Sequence, residues 1–573
     1  MTQPAPARHE RTGTSVGGYL AQRLQQLGVD HLFGLPGDYN LALIDEMLAT
    51  STLTWVGCGN ELNAGYAADG YARVRGMGAL LTTYGVGELS AINAVAGSYA
   101  ESVPVVQITG APSGTLAEQG ALLHHTLADR DFGHFERAYR EVTAAAEVLT
   151  SVAPGRQIDQ CLTVARDHVR PVYLSVPADL VHTTVSSAPV KPALSRSQSD
   201  PRALTAFTRA LRGRLGAHPQ VTLLAGHLLS RRNLAPEVRR LADLGVAVAT
   251  LTSCKGILDE DHPCSLGTYI GALTPSVHTR ATVEKSPALV LAGTALTDLV
   301  TGLFSHRIDL RSAIVLDLHQ ARLDSVTYPG IELRDSVGAL LGLIESDPDS
   351  AQWRPLAASA TTYEQAEDIS AGDGTAPLTQ AQLWLQLESW IAPGTRVLAD
   401  SGTAYYGAAG LRLPPDCTLE GQPTWSSIGY TLPALLGTQL ADPAHPALLV
   451  IGDGAAQLTF QELATILHHS LKPVIVLINN GGYTIERAIR SPDAPYHDIS
   501  AWAWTRLPSV LGAAERVRTL SASTSAELAE ALRQAGHERD EGQRAVLIEV
   551  VLGRYDTPPL LAALADGLGN GAR

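Results

Sequence analysis

Two apolar runs, each ending in glycines and a hard-oxygen side chain, constrain this chain more than any other feature. The first, Ala447-Leu448-Leu449-Val450-Ile451, breaks into Gly452-Asp453-Gly454-Ala455-Ala456. The second, Val474-Ile475-Val476-Leu477-Ile478, breaks into Asn479-Asn480-Gly481-Gly482-Tyr483-Thr484. Short β-rich runs of this kind read as strands buried in a parallel sheet. Their ends then bring Asp453 and an Asn together. A carboxylate, a carboxamide and free backbone carbonyls are ligands for Mg²⁺ or Ca²⁺. The glycines let backbone N–H groups and helix N-termini approach a phosphate. The simplest ligand for such a pair of turns is a metal–diphosphate.

Context carries this signal more than the letters do. Gly372-Asp373-Gly374 repeats the triplet, but between Ile369-Ser370-Ala371 and Thr375-Ala376-Pro377, with no apolar run ahead of it. It reads as a surface turn. The 452–454 copy precedes a helical pattern, in which Thr459 and Glu462 have capping-box spacing and Phe460, Leu463, Ile466 and Leu467 share a face. For this half alone, a tight turn between strand and helix remains an open alternative.

A chain of 573 residues is too long for one core, and about three domains are expected. Apolar strand-like runs alternate with helical patterns throughout, so the fold class is α/β, with three parallel-sheet α/β domains. A Ser/Pro-rich stretch (186–201) and a polar stretch (346–377) read as linkers, dividing the chain into 1–185, 200–345 and 375–573. The middle segment has its own strand-like runs at 221–225, 288–292 and 313–317. No sequence repeat is evident. The net charge of −15 and the lack of a basic tract argue against a nucleic-acid partner. Five scattered cysteines without a CxxC argue against a zinc site and a disulfide framework, and fit a cytoplasmic protein. The start of the chain lacks the apolar core of a signal peptide, and no run is long enough to span a membrane.

The N-terminal third holds further polar features, each with a plain structural alternative. Asp38 follows a strand-like run from His31 and could cap a helix. Glu61 opens a small-residue helical stretch, where the helix dipole favours a carboxylate. His124-His125 could be a surface pair; on a helix their side chains would diverge by about 100° and make poor joint ligands. Trp502 and Trp504 could form an aromatic box, but core or interface packing is the simpler reading.

Taken together and in order, PGDYN, NELNAGYAADGYAR, LLHHTL, SGT, SIGY, GDGAAQLT with QEL, and NN with GYTIERAI resemble the thiamine diphosphate-dependent 2-oxoacid decarboxylases. The likeness is greatest to indolepyruvate and phenylpyruvate decarboxylases, with pyruvate decarboxylase nearby. It extends through Lys255-Gly256-Ile257-Leu258-Asp259-Glu260 to the tail Pro558-Pro559-Leu560-Leu561. The GDG–NN pair marks the wider cofactor group, whereas the His pair with Glu486 is specific to the decarboxylase branch.

The resemblance implies a pyrimidine-binding domain at 1–185, a central domain at 200–345 and a diphosphate- and Mg²⁺-binding domain at 375–573. It implies a cofactor held between subunits, so that Glu61 of one chain serves Asp453 of another. A homodimer is then the smallest active unit and a homotetramer the usual assembly. Asp453, Asn480 and the Gly482 carbonyl would bind Mg²⁺. Thr403, Gly454, Ala455, Tyr483, Thr484 and Ile485 would line the diphosphate, and Ser426 and Ile428 would hold the cofactor's rings. Glu61 would activate the cofactor, and Asp38, His124, His125 and Glu486 would surround the substrate. Tyr405, Tyr406, Ile489, Leu560, Leu561 and Leu564 would form the pocket wall and lid. Three sites depart from the expected patterns: Ala455 stands where pyruvate decarboxylases often have Ser, Ser426 where the residue is often Gly, and Ala404-Tyr405-Tyr406 where pyruvate decarboxylases have a smaller Ser-Ala-Phe. The implied reaction is non-oxidative decarboxylation of an aryl or branched-chain 2-oxoacid to the aldehyde. Carboligation and pyruvate specificity are the alternatives.

Overall fold

The first sheet places its strands in the order Thr54–Gly57, His31–Gly34, Gly78–Thr83, Val105–Ala111, Val172–Pro177, Ala146–Val148, all parallel. The computed structural model describes residues 13–185, 197–218, 220–346 and 376–571. The start of the chain, most of both linker stretches and the Gly372–Gly374 turn lie outside the described residues. Three of the strands are buried along their whole length, as a parallel sheet covered on both faces requires. From His31–Gly34 the chain steps outward to Thr54–Gly57, then returns to the other side at Gly78–Thr83. Such a reversal opens a crevice beyond the carboxyl ends of the strands on either side of it. The helix Glu61–Arg75 is capped by Asn60, whose side chain accepts from Asn63 N at 2.8 Å. Its small residues permit close packing: a Cβ on Gly65 would lie 2.5 Å from Ala94 Cβ.

The chain divides into two compact units, Met1–Arg196 and Ser197–Arg573. The second contains two sheets. One runs Val326–Pro329, Gln320–Leu323, Ile314–Leu316, Ala288–Ala292, Val221–Ala225, Ala247–Thr250, Ser265–Thr268; it is parallel except for the antiparallel hairpin at its first edge. The other runs Thr418–Glu420, Arg396–Ala399, Ala447–Gly452, Val474–Asn479, Ala545–Val551, Val517–Ala522, all parallel. Numbered by chain order within each sheet, this one and the sheet of the first unit both read 2-1-3-4-6-5. The chain thus builds one architecture twice without a legible sequence repeat.

Within the second unit, segment 255–260 joins the two sheets. Asp259 Oδ1 accepts from Asp416 N at 3.0 Å, and Glu260 Oε2 accepts from Leu413 N at 3.0 Å. Lys255 pairs with Glu260 in a buried ion pair. Gly256, at φ +90°, has no room for a side chain, because a Cβ would fall on the Cys417 carbonyl.

Two local expectations change. The helical pattern after Asp453 splits into Asp453–Thr459 and Glu462–His468, and Thr459 does not cap the second helix. Its hydroxyl instead donates to the Gly429 carbonyl at 2.8 Å, a tertiary partner that competes with the local capping box. Phe460, Leu463, Ile466 and Leu467 are all buried, as their shared face requires. Trp504 is buried against Phe460 at 5.3 Å, while Trp502 stays partly exposed beside it, which fits packing and no aromatic box. All five cysteines are free. Among the described residues no helix is long and apolar enough to cross a membrane.

Candidate functional site

In the last sheet the order reverses between Arg396–Ala399 and Ala447–Gly452, so the crevice lies beyond Ala399 and Gly452. Asp453 is the first residue of its helix there and is almost fully buried. Oδ1 accepts from Gly454 N at 2.7 Å; Oδ2 accepts from Gly481 N at 2.8 Å and Gly482 N at 3.2 Å. The two sequence motifs therefore meet at one carboxylate. Burial raises the Asp453 pKa, and the backbone N–H groups oppose that rise. Asn480 is buried, and its Oδ1 has no hydrogen-bond partner. A buried acceptor of this kind calls for a ligand. The Gly482 carbonyl accepts from Thr484 N at 3.1 Å and keeps a second lone pair. Gly482 itself, at φ +135°, admits no side chain, since a Cβ would fall on the His497 carbonyl. A Cβ at Gly452 or Gly481 would meet nothing within 4 Å. Hard-oxygen donors, an unpartnered carboxamide oxygen and open backbone make a donor set that fits a divalent metal with a diphosphate.

The other diphosphate candidates lie around this turn. Thr403 and Thr484 are the first residues of short helices following Gly402 and Tyr483. The Thr484 hydroxyl is engaged, donating to the Arg554 carbonyl at 2.9 Å. The Tyr483 ring lies over Gly454, where a Cβ would come within 2.5 Å of it. Ala455 is buried.

Asp400 escaped the sequence reading. Its fully buried carboxylate accepts from Gly429 N and Thr431 N, both at 3.0 Å, and from the Thr431 hydroxyl at 2.6 Å. These bonds fix the turn that presents Ile428. Burial raises the Asp400 pKa against those same bonds. The available signal was a carboxylate at a strand end, Leu398-Ala399-Asp400, just before Ser401-Gly402-Thr403. On the same turn Ser426 adopts φ +56°, and both its N–H and its hydroxyl donate to the Gln422 carbonyl, at 2.8 and 3.1 Å.

A cavity of about 240 Å³ adjoins this turn. Tyr405, Tyr406, Ile428, Ile485, Glu486, Ile489, Leu560 and Leu564 line it. So does Gln422, which the sequence reading also missed. Leu561 is not part of the lining; it is fully buried in the adjoining apolar cluster with Ile270 and Ala409. The C-terminal helix Pro559–Gly571 packs on Thr403–Gly410 and Thr484–Ile489, which sets Leu560 and Leu564 at the cavity.

The first unit gathers its own polar cluster. Asp38 Oδ2 lies 2.7 Å from His124 Nε2, so Asp38 pairs with a histidine and does not cap a helix. His124 stacks on Tyr39, with ring centroids 4.9 Å apart. His124 and His125 lie in a loop, with rings 4.6 Å apart, so the divergence expected on a helix does not apply. His125 takes φ +61°, and its Nδ1 is buried without a hydrogen-bond partner. Its carbonyl occupies the place a side chain at Gly85 would take. Glu61 opens its helix as expected, and a Cβ on Gly87 would lie 3.2 Å from Glu61 Oε1.

Comparison with known proteins agrees with this geometry. Residues 14–131 match the family described as "Thiamine pyrophosphate enzyme, N-terminal TPP binding domain". Residues 209–343 match its central domain, and residues 400–550 its C-terminal TPP binding domain. A protein of Mycolicibacterium paratuberculosis named "Alpha-keto-acid decarboxylase" is 45% identical over 559 residues, covering 96% of both chains. Proteins of the same name from Mycobacterium avium and Mycobacterium tuberculosis are 45% and 44% identical, covering 96% and 97% of both chains.

Proposed function

We propose that this chain, which belongs to the thiamine diphosphate-dependent 2-oxoacid decarboxylase family, acts on a bulky 2-oxoacid, aryl or branched-chain, and releases the aldehyde. The observation that supports the substrate class is the apolar wall formed at the cavity by Tyr405, Tyr406, Ile489, Leu560 and Leu564, which suits an aryl or branched side chain.

Bound thiamine diphosphate supplies the electron sink for the pair left when CO₂ departs. In this reading Asp453 Oδ, Asn480 Oδ1 and the Gly482 carbonyl would hold Mg²⁺, the usual partner of the diphosphate. Thr403, Gly454, Ala455, Tyr483, Thr484 and Ile485 surround the diphosphate. Ile428, on the turn fixed by Asp400, and the backbone at Ser426 would hold the cofactor's rings. Glu61 would hold and exchange a proton at its carboxyl oxygen to activate the bound cofactor. Glu486, at the cavity, acts around loss of the carboxylate. Asp38 Oδ2 and His124 Nε2, 2.7 Å apart, share a proton and, with His125, deliver it to the product. The apolar wall excludes water, which favours dispersal of the carboxylate charge. Residues 1–185 take the pyrimidine-binding role, 200–345 the central one and 375–573 the diphosphate role. A Mg²⁺-loaded cytoplasmic homodimer, further assembled as a tetramer, completes the proposal and can be checked by sedimentation.

The test is a 2-oxoacid panel with thiamine diphosphate and Mg²⁺, with aldehydes and hydroxyketones quantified separately. Indolepyruvate, phenylpyruvate or a branched 2-oxoacid should exceed pyruvate in kcat/KM. Preference for pyruvate would refute the substrate class, and hydroxyketones as the main product would favour carboligation.

A further inference from the structure

Arg487 stands on the short helix Thr484–Ile489, one residue past Glu486. Glu486 lines the cavity, whereas Arg487 does not, and the Arg487 side chain is only 1% exposed. Burying a guanidinium is costly unless its charge and its N–H groups find partners. Arg487 finds few. Its Nη2 donates to the Gly481 carbonyl at 3.2 Å and to Asp498 Oδ1, while Nε and Nη1 are buried without a hydrogen-bond partner. The Asp498 side chain is half-exposed, so the pair is anchored near the surface and reaches inward to the turn. A buried pair of this kind is a poor source of stability in itself. Its value lies in what it holds.

The turn at 481–482 has two sides. On one side Gly481 N and Gly482 N donate to Asp453 Oδ2, beside the Gly482 carbonyl expected to ligate the metal. On the other, Arg487 Nη2 takes the Gly481 carbonyl and lies 3.1 Å from where a Gly482 Cβ would stand. Both glycines have positive φ, +70° and +135°, and a glycine pair left to itself would sample many other conformations. The segment around Asp498 completes the frame, bridging to Gly482 and accepting from Tyr483 N at the His497 carbonyl, at 2.9 Å. We propose that Arg487 is a positioning residue for the metal site: it clamps the Gly481–Gly482 peptide from behind, so that Asp453 and the Gly482 carbonyl meet a divalent cation in a fixed arrangement. The inference rests on the metal–diphosphate reading above, and groups that orient metal ligands in this way govern affinity nearly as much as the ligands do. Arg554 offers an internal comparison. Its guanidinium pairs with the same Asp498 oxygen and makes no hydrogen bond to the turn.

The experiment measures, by calorimetry, the Mg²⁺ concentration that half-saturates thiamine diphosphate binding to the full chain. It compares the wild type with Arg487→Met, Arg487→Lys and Arg554→Met, and records the apoprotein Tm of each. Arg487→Met should raise the Mg²⁺ requirement by about tenfold or more. Lysine keeps the charge and a donor for the Gly481 carbonyl, so it should recover most of that loss. Arg554→Met removes only an exposed pairing and should stay within about twofold of the wild type. An unchanged Mg²⁺ requirement in Arg487→Met overturns the proposal. So does an equal rise in Arg554→Met, which would assign the effect to Asp498 pairing in general, or an equal loss in the lysine and methionine variants. Hydrogen exchange in the wild type gives a check that needs no folded variant. With the turn held by Arg487, amides 481–484 should be protected in the metal-free apoprotein nearly as well as in the holoprotein. Fast exchange there, slowed only by metal and cofactor, overturns the proposal. If thiamine diphosphate binds the wild type without any dependence on Mg²⁺, the metal reading itself has failed; a normal dependence that Arg487→Met leaves untouched defeats only the role of Arg487.

Discussion

Replacing Glu88 by glutamine should remove a pH-dependent loss of stability from the first unit. Glu88 is completely buried; Oε1 accepts from Gly85 N at 2.7 Å, and Oε2 from Tyr173 Oη at 2.6 Å. Burial pushes its carboxyl up to about 7, although bonds from Tyr173, Gly85 and Thr109 pull the other way. In the unfolded chain the group returns to the ordinary value of about 4.5. The folded state therefore binds the proton more tightly. The stability this contributes is fully present below about 4.5 and is lost as pH rises through about 7. Between pH 5.5 and 8 the loss is roughly 2 kcal/mol, or about thirtyfold in a local opening constant. Glutamine keeps the shape and stays neutral, so it should not show this loss. Hydrogen exchange of peptides spanning Val105–Ala111 and Val172–Pro177 reads the opening within the full chain. Comparing wild type with Glu88→Gln at each pH cancels the intrinsic exchange chemistry. The ratio of their protection should shift by about thirtyfold across that range. Parallel protection profiles would show that Glu88 titrates normally and refute the reasoning. Because Glu88 holds Gly85 against the His125 carbonyl, exchange in the 124–126 loop should follow the same trend.

Glu61→Gln should slow exchange of the cofactor C2 proton by roughly a hundredfold or more, read by NMR; fast exchange in the variant would remove Glu61 from that role. Asp453→Ala should weaken Mg²⁺-dependent thiamine diphosphate binding by about a hundredfold or more, measured by calorimetry, and unchanged affinity would refute the ligand assignment. Gly256→Ala combines an unfavourable positive φ with a clash on the Cys417 carbonyl, so it should cost about 2–4 kcal/mol, seen as a lower Tm. An unaltered Tm would mean that the seam relaxes freely.

Much of the site was legible where local pattern and tertiary role coincide. The runs before Gly452 and Asn479 are apolar because their strands are buried on both faces, and their glycines stand where the backbone is open or admits no Cβ. Glu61 was legible for the same reason, since a helix start is a local event. What stayed hidden depends on partners distant in sequence. Thr459 looked like a cap because the Gly429 carbonyl that takes its hydroxyl is remote along the chain. Asp38 looked like a cap because nothing local announces His124. Gln422 and Asp400 carried no motif, and their meaning comes wholly from what surrounds them after folding. The doubled 2-1-3-4-6-5 order is invisible in the letters because many sequences satisfy one pattern of buried strands.

The seam at 255–260 also bears on how a chain of this kind diverges. Thr252, Ile270 and Leu299 come from the central sheet's side of the cavity, and Tyr405, Ile489 and Leu560 from the other. Gly256, Asp259 and Glu260 set the register between those two walls and are absent from the lining. Drift at the seam can widen or narrow the cavity while every lining side chain is inherited unchanged. Two descendants could then differ in substrate range and still carry identical pocket residues.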